Sequence, residues 1–435
     1  MRKKYWGYIL PSTLSFLLTG IYSIVDGIFV GRAMGDAGLA AINIVWPLVA
    51  LIIALGTGIG MGASVMVSLN KGAGDEKTAA KMEGNAFFLL FTGSILLTAV
   101  LYASGNPLLT LLGADGEVHS LALTYLHYIL LGSIIQVIAS GSVPLIRNRG
   151  AAVFSMFAMA CGCFINIALD YYLVLIAKTG LMGAAVATVL GQSVTLIISI
   201  AFYLKKKNRI AFKNLKPDKK AILSILKVAA SPFGLTYLPS VTIIFMNLQC
   251  LKYGGEEAVS AYAVLAYLVS FMELVVQGIS DGSQPLLSLS KGSGDKKALK
   301  SYTVWTFSLG IFLGILSGML VYLCRYLIPV FYGTSANAAK LIIHAAPTFA
   351  LVMAMYGLTK PAISYFYATE ALFRSSFLVY GEVILTIAAI FTLPLFLGLN
   401  GVWFTMPLVQ IILGLISIIF LLSSALKEKN KKSQH

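Results

Sequence analysis

The 435-residue chain is 58% hydrophobic and only 11% charged, with a net charge of +15 and a mean hydropathy of +0.87. A soluble globular domain carries about 25% charged residues, so this composition excludes one. Apolar runs of about 20 residues recur along the whole length, the span of a helix through hydrocarbon, and the short alternating segments of a transmembrane barrel are missing.

The N-terminus, MRKKYWGYILPSTLSFLLTGIYSIVDGIFVG, is basic and then apolar, as a signal peptide would be. Its apolar run is too long for such a leader and no small-residue cleavage site closes it, so it reads as a retained first span. Apolar windows and the breaks between them predict twelve spans, over roughly residues 6–31, 38–68, 77–103, 118–146, 151–177, 180–204, 221–251, 257–290, 297–323, 337–366, 372–397 and 401–426. Lys and Arg gather at the N-terminus (Arg2, Lys3, Lys4), in the loops after spans 2, 4, 6, 8 and 10, and in the tail KEKNKK. The alternate loops hold only Arg32, Lys178, Lys252, Arg325 and Lys340. By the positive-inside rule both termini are cytoplasmic. The excess charge is then topogenic, and no nucleic-acid partner is expected.

An internal repeat organises these spans. Residues 67–80, VSLNKGAGDEKTAA, align with 287–300, LSLSKGSGDKKALK, with seven identities in fourteen at a shift of 220. Gly183 pairs with Gly401 and Gln192 with Gln410 at a shift of 218. The expected fold is an all-α polytopic membrane protein of twelve transmembrane helices, in two six-helix lobes related by a pseudo-twofold axis along the membrane normal. The expected divisions are 1–204 for the first lobe, 205–220 for a basic cytoplasmic linker, 221–426 for the second lobe and 427–435 for a cytoplasmic tail. Parallel repeats of this kind occur in transporters whose site lies between the halves, which points to alternating access.

A charged group inside the bilayer costs about 2.5–3.5 kcal/mol on insertion scales and is a functional candidate by default. In the first half these are Asp26 and Asp170. At about 1.5 Å per residue, Asp26 on span 1, Asn166 and Asp170 on span 5 and Thr188 on span 6 share one level, roughly 7–15 Å below the outer surface. Two carboxylates at one depth call for a compensating cation, and either a proton or a sodium ion suits this oxygen set. The structural alternative is polar glue between helices.

In the second half, Glu273, Gln277, Asp281 and Gln284 fall on one helical stripe, either a cavity wall that attracts cationic compounds or a hydrogen-bonded seam. Lys360 is expected to snorkel toward the cytoplasm on its long stem, and Glu382 is the remaining intramembrane charge. His127 and His344 on spans 4 and 10, and His119 in an outer loop, are expected to be packed or interfacial, and His435 closes the tail. The cysteines Cys161, Cys163, Cys250 and Cys324 lie in or next to apolar spans, and read as small apolar filler rather than disulfide or metal ligands. Pro11 removes a backbone hydrogen bond and marks a place for span 1 to bend. The glycines of GTGIGMGAS allow close helix packing. Without a GK[ST] ending, this stretch is not a phosphate loop.

Together these segments resemble the multidrug and toxic compound extrusion (MATE) transporters over the whole chain. The resemblance rests on Pro11, DGIFVGRAMGDAGLAA (26–41), GTGIGMGASVMVS (56–68), GAGD, the Asn166/Asp170 pair, GAAVAT (183–188), QGISDGSQPLLS (277–288) and GSGD. In its bacterial DNA-damage-inducible, MepA-like branch, the resemblance implies a first-lobe cation site at Asp26, Asn166, Asp170 and Thr188, binding H+ or Na+, and bending of the first helix at Pro11. It implies a non-enzymatic, cofactor-free, monomeric antiporter of the bacterial cytoplasmic membrane that exports amphipathic, mainly cationic drug-like compounds. A flippase for lipid-linked saccharide precursors, a relative in the same superfamily, would instead line its cavity with basic residues. A membrane-embedded enzyme would need His, Asp or Cys converging at one depth, and here the histidines are scattered. A passive channel fits the two-lobed duplication less well.

Overall fold

The computed structural model describes residues 1–432, with the backbone alone for Phe212, Lys213, Ala425 and residues 427–432, so the end of the tail and His435 lie outside the described residues. Its helices are α1 (Arg2–Gly72), α2 (Glu76–Leu111), α3 (Gly116–Leu131), α4 (Ser133–Asn148), α5 (Ala152–Asp170), α6 (Gly180–Leu204), α7 (Lys219–Gly292), α8 (Lys296–Cys324), α9 (Ile328–Tyr332), α10 (Ala336–Ala368), α11 (Leu372–Leu397) and α12 (Leu399–Lys432). Among the described residues, nine helices are long and apolar enough to cross a membrane, and α3 with α4, bent by 60° about Gly132, make a tenth span. A straight helix of the length of α1 or α7 would be over 100 Å long, about three hydrocarbon thicknesses. Each is broken once by a glycine with non-helical backbone, Gly35 (φ 61°, ψ −150°) in α1 and Gly255 (φ 67°, ψ −163°) in α7. Each therefore holds two spans, and the chain has the twelve that its hydropathy predicts. One difference is the sharp bend of span 4 at Gly132.

The duplication is written in the backbone as well as in the sequence. Left-handed φ values recur in pairs: Gly35 with Gly255, Gly74 with Gly294, Gly113 with Gly333, Gly150 with Glu370, and Gly180 with Gly398. The first four pairs are 220 apart and the last 218, the same shifts that align the sequence motifs. Gly183 and Gly401 also share a role. A Cβ on Gly183 would meet Leu173 and Thr179, and one on Gly401 would meet Leu393 and Pro394, so each glycine lets a helical hairpin close tightly.

The chain packs as two compact units, Met1–Ser240 with Ser288–Lys296, and Val241–Leu287 with the chain from Lys297 onward. In the first, Val45, Ile52, Leu90, Leu109, Leu126 and Ile129 belong to one core. In the second, Met246, Leu265, Val276, Ile342, Phe349 and Trp403 do the same. Side chains such as Leu96 (68% exposed) and Ile419 (60%) point outward, where hydrocarbon replaces water as the solvent. The glycines of GTGIGMGAS serve two faces of α1 at once. Gly56 and Gly60 lie against Val137, Ser140 and Gly141 of α4, while Gly58 and Gly62 lie against Ala229 and Phe233 of α7. Pro11 is buried within α1, which runs through it as helix, and Ser15 Oγ donates to the Pro11 carbonyl at 2.8 Å.

The basic linker is docked rather than loose. Asn85 on α2 accepts from the Asp218 amide at 2.8 Å, and its own amide donates to the Lys216 carbonyl at 3.3 Å. Asp218 caps α7 by accepting from the Ala221 amide and pairs with Lys81 at 2.6 Å. The bond from Lys81 is the main influence holding the half-buried Asp218 carboxyl below the usual carboxylate range. Nearby, Arg149 reaches Glu83 through two nitrogens, and Tyr203 donates to the same carboxylate at 3.1 Å, closing this end of the first unit with a buried charge pair.

Gly35 tests how the long helices are divided. Its backbone lies in a region that only glycine adopts readily, so Gly35→Ala should destabilise the protein by about 1–3 kcal/mol. Gly7, in a helical stretch of α1 with open space where a Cβ would stand, is the control, and Gly7→Ala should leave the thermal unfolding midpoint unchanged or slightly raised. Equal midpoints for the two variants would show that the Gly35 break is not held by backbone conformation.

Candidate functional site

The first unit assembles a carboxylate pair from two elements. Asp26 stands two turns before the Gly35 break in α1, and Asp170 is the last α-helical residue of α5. Beyond it the chain widens into a π-helical stretch, Tyr171–Ile176, in which the Ala177 amide donates to the Tyr172 carbonyl at 2.8 Å. Single π turns recur at functional sites because they offset side chains from the α-helical register. Asn166 lies one turn before Asp170. It packs where α5 and α6 approach closely, since a Cβ on Gly191 would stand 2.9 Å from the Asn166 Cβ.

Asp170 is fully buried, Asn166 is buried and Asp26 is half-buried. The two carboxyl groups face each other, and Asn166 stands beside Asp170. Two ionised carboxylates offer each other no donor, and the Asn166 amide is not aligned with Asp170 as a hydrogen bond. Asp26 Oδ1, both Asp170 oxygens, and both Asn166 amide atoms are buried without a hydrogen-bond partner. A buried polar atom left unpaired costs about 1–3 kcal/mol, more when charged. Four of the five are acceptor oxygens, which a cation or a proton could satisfy.

Sequence reasoning missed two members of this site. Tyr22 lies one turn before Asp26, within the field of both carboxylates, and that spacing was the available signal. Tyr125 on α3 is buried, near both aspartates, and has the Thr188 side chain beside its hydroxyl. Thr188 therefore joins the site through Tyr125. Nothing in the sequence around Tyr125 marks it, because only tertiary packing brings α3 to the pair.

The second unit differs from the expected stripe. Gln277 donates to Asp281 at 2.7 Å and Tyr367 donates to the same carboxylate oxygen at 3.1 Å, so these two members form a buried, hydrogen-bonded seam. Glu273 faces elsewhere. Its Oε1 lies 2.7 Å from Lys360 Nζ, which is also 3.6 Å from Glu382 Oε2. Lys360 does not snorkel, for its side chain is only 2% exposed. Two acids within reach hold the ammonium inside the unit, and the Tyr356 ring lies 4.6 Å beneath it. Glu382 also accepts from Gln410 at 2.8 Å and from Tyr356 at 3.3 Å, while Thr359 donates to Gln410 at 3.1 Å.

The remaining candidates are packed or interfacial. His127 stacks against Tyr102, His344 bonds Asn400 at 3.0 Å and His119 lies 3.5 Å from Thr110. The four cysteines are free, and among the described residues no three His, Cys, Asp or Glu side chains converge as metal ligands.

The MatE family model matches residues 11–172 and 235–375, well over half of the chain. The chain belongs to the MatE family. Among curated MATE relatives, the multidrug export protein MepA of Staphylococcus saprophyticus is 28% identical over 297 residues, 68% of this chain and 65% of that protein. Its counterpart in Staphylococcus haemolyticus is 22% identical over 423 residues, covering 96% and 92% of the two chains. The alignment to the first of these spans a little under two thirds of the relative. Among solved structures, a MOP superfamily transporter from Pyrococcus furiosus superposes with a TM-score of 0.90 at 22% identity, over 98% of this chain and 96% of that one. The Vibrio cholerae MATE transporter VcmN gives 0.90 at 18% identity, over 98% and 97%. The fold of this multi-pass membrane protein is therefore the twelve-helix, two-lobed MATE fold.

The unpaired atoms make a stability prediction. Asn166→Leu replaces an unpartnered buried amide with an apolar group of similar shape, and should raise the thermal unfolding midpoint in the absence of ligand by the equivalent of about 1–3 kcal/mol. A lower midpoint would mean that the amide has a partner in the resting protein.

Proposed function

We propose that this MATE protein is a secondary active multidrug exporter, in which H+ or Na+ entering the first unit drives the release of amphipathic, mainly cationic compounds. The observation that carries this reading is the buried, unpartnered set of Asp26, Asn166 and Asp170. An acid pair kept in an apolar unit without a counter-ion is a binding site for one, and a cation held there lowers the free energy of whichever conformation encloses it best. Thr188 and Tyr125 would complete the oxygen set, and Pro11, where α1 already lacks one backbone hydrogen bond, would let the helix bend as the site fills and empties. One charge crossing 100 mV supplies about 2.3 kcal/mol, enough for roughly 50-fold accumulation per ion.

The names of the Staphylococcus relatives support multidrug export, and the acidic character of the intramembrane charges supports cationic substrates. A flippase for lipid-linked saccharides would need free basic groups facing its cargo, whereas the Lys360 ammonium is committed to two carboxylates. The working unit is a monomer of two six-span lobes, 1–204 and 221–426, joined by the linker 205–220. Both termini, including the tail 427–435, face the cytoplasm of a bacterial cell.

The decisive experiment is drug efflux from proteoliposomes under an imposed proton or sodium gradient, with wild type beside Asp170→Asn. Wild type should export under one of the two gradients. The variant should lose gradient-driven export at least about 100-fold while retaining drug binding, since the substitution keeps the shape and removes the charge. Full export by Asp170→Asn would overturn the assignment of the coupling site.

A further inference from the structure

The second unit holds a charge arrangement that the coupling site does not use. Glu273, Lys360 and Glu382 form a triad with a 2% exposed lysine between two acids whose side chains are 19% and 17% exposed. With all three ionised, the triad carries one negative charge in excess. That excess is not spread evenly. Glu382 accepts from Gln410 and Tyr356 as well as facing Lys360, whereas Glu273 takes its ion pair from Lys360 and its side chain is 19% exposed. A partly exposed carboxylate held by one lysine at 2.7 Å, in a triad with one negative charge in excess, can take one more positive charge. A second positive charge would meet no negative partner and would face the Lys360 ammonium itself.

We propose that Lys360 is a built-in countercharge that sets ligand valence, limiting the Glu273–Glu382 pair to one organic monocation and disfavouring organic dications. The proposal rests on the export reading and adds to it a rule about which compounds are handled well. Lys360 acts without touching the ligand, through the charge it cancels. The triad belongs to the second unit's own architecture. The repeat shift of 220 places Ile53 opposite Glu273 and Ser140 opposite Lys360, so the first unit has no equivalent.

The test counts charges. Equilibrium binding to the purified full-length protein is measured with tetraphenylphosphonium as monocation and decamethonium as dication. Glu273→Gln and Glu382→Gln each make the triad neutral, and each should weaken tetraphenylphosphonium at least about tenfold. Lys360→Met leaves two uncompensated acids and should shift the preference toward decamethonium by at least about tenfold. The double variants Lys360→Met/Glu273→Gln and Lys360→Met/Glu382→Gln restore a single negative charge. At least one should return both ligands to near wild-type affinity, an outcome that a purely structural salt bridge would not produce. These doubles also carry the test if Lys360→Met alone fails to fold. Unchanged tetraphenylphosphonium binding in both single acid variants, or wild-type valence preference in Lys360→Met, overturns the proposal, as does failure of both doubles to bind. Gradient-driven tetraphenylphosphonium export by wild-type proteoliposomes is recorded in parallel. Its absence would sink the export reading, whereas export with an unaltered valence preference across the variants would sink only the role of Lys360.

Discussion

A carboxylate in hydrocarbon has to be matched by a positive charge, and the two units of this chain meet that constraint in opposite ways. The second unit supplies its own ammonium, Lys360, and surrounds the pair with donors from Tyr356 and Gln410. At Asp26 and Asp170 the first unit supplies none, although it pairs buried Glu83 with Arg149. Asp26 and Asp170 are left facing each other with their buried oxygens unbonded, and Asn166 beside them is equally unpartnered. Breaking a buried charge pair by removing one partner typically costs about 3–5 kcal/mol. The Asp26–Asp170 site is therefore held together by the packing around it, not by its own polar contacts.

That packing depends on glycine. Gly162 and Gly191 let α5 and α6 approach until a Cβ on either would strike the opposite backbone, which fixes Asn166 against its neighbour helix. Gly183 sets the hairpin that joins the same pair, shortly after the π-helical stretch that follows Asp170. Because an interior of this density deforms in steps rather than continuously, a change in the spacing of the two aspartates would be felt along α1 and α5. Coupling through such elements needs only that one helix has two packings, and α1, with a buried proline in its first half, has the local feature for that.

Much of this was legible in the sequence, and the rest failed for identifiable reasons. Twelve spans, the repeat and the Asp26–Asn166–Asp170 grouping follow from hydropathy, self-alignment and depth, all of which are one-dimensional properties. The bend of span 4 at Gly132 did not follow, because a single glycine in an apolar run looks the same whether the helix continues or turns. Tyr125 was invisible because its role depends on which face of α3 meets α1. The helical stripe of Glu273, Gln277 and Asp281 was read correctly as one face but wrongly as one environment. Partners on other helices divide it, with Tyr367 taking Asp281 and Lys360 taking Glu273.

Lys360 shows most clearly what sequence alone withholds. A lysine near one end of a span has two low-energy options, to run its stem out to the headgroups or to fold inward onto acids. The choice turns on whether carboxylates from other spans arrive at its level, and Glu273 and Glu382 lie 87 and 22 positions away along the chain. Once both are within reach, the inward arrangement cancels one of two charges that would otherwise sit bare in the unit. The same addition explains why the duplicated halves have diverged in chemistry while keeping their backbones. Met246 and Met406 stand at the repeat positions of Asp26 and Thr188, so the second unit lacks the elements of the first site. It carries acids elsewhere instead, with Lys360 between two of them. A duplicated fold can in this way keep one backbone while one copy holds a bare acid pair and the other holds its acids around a lysine.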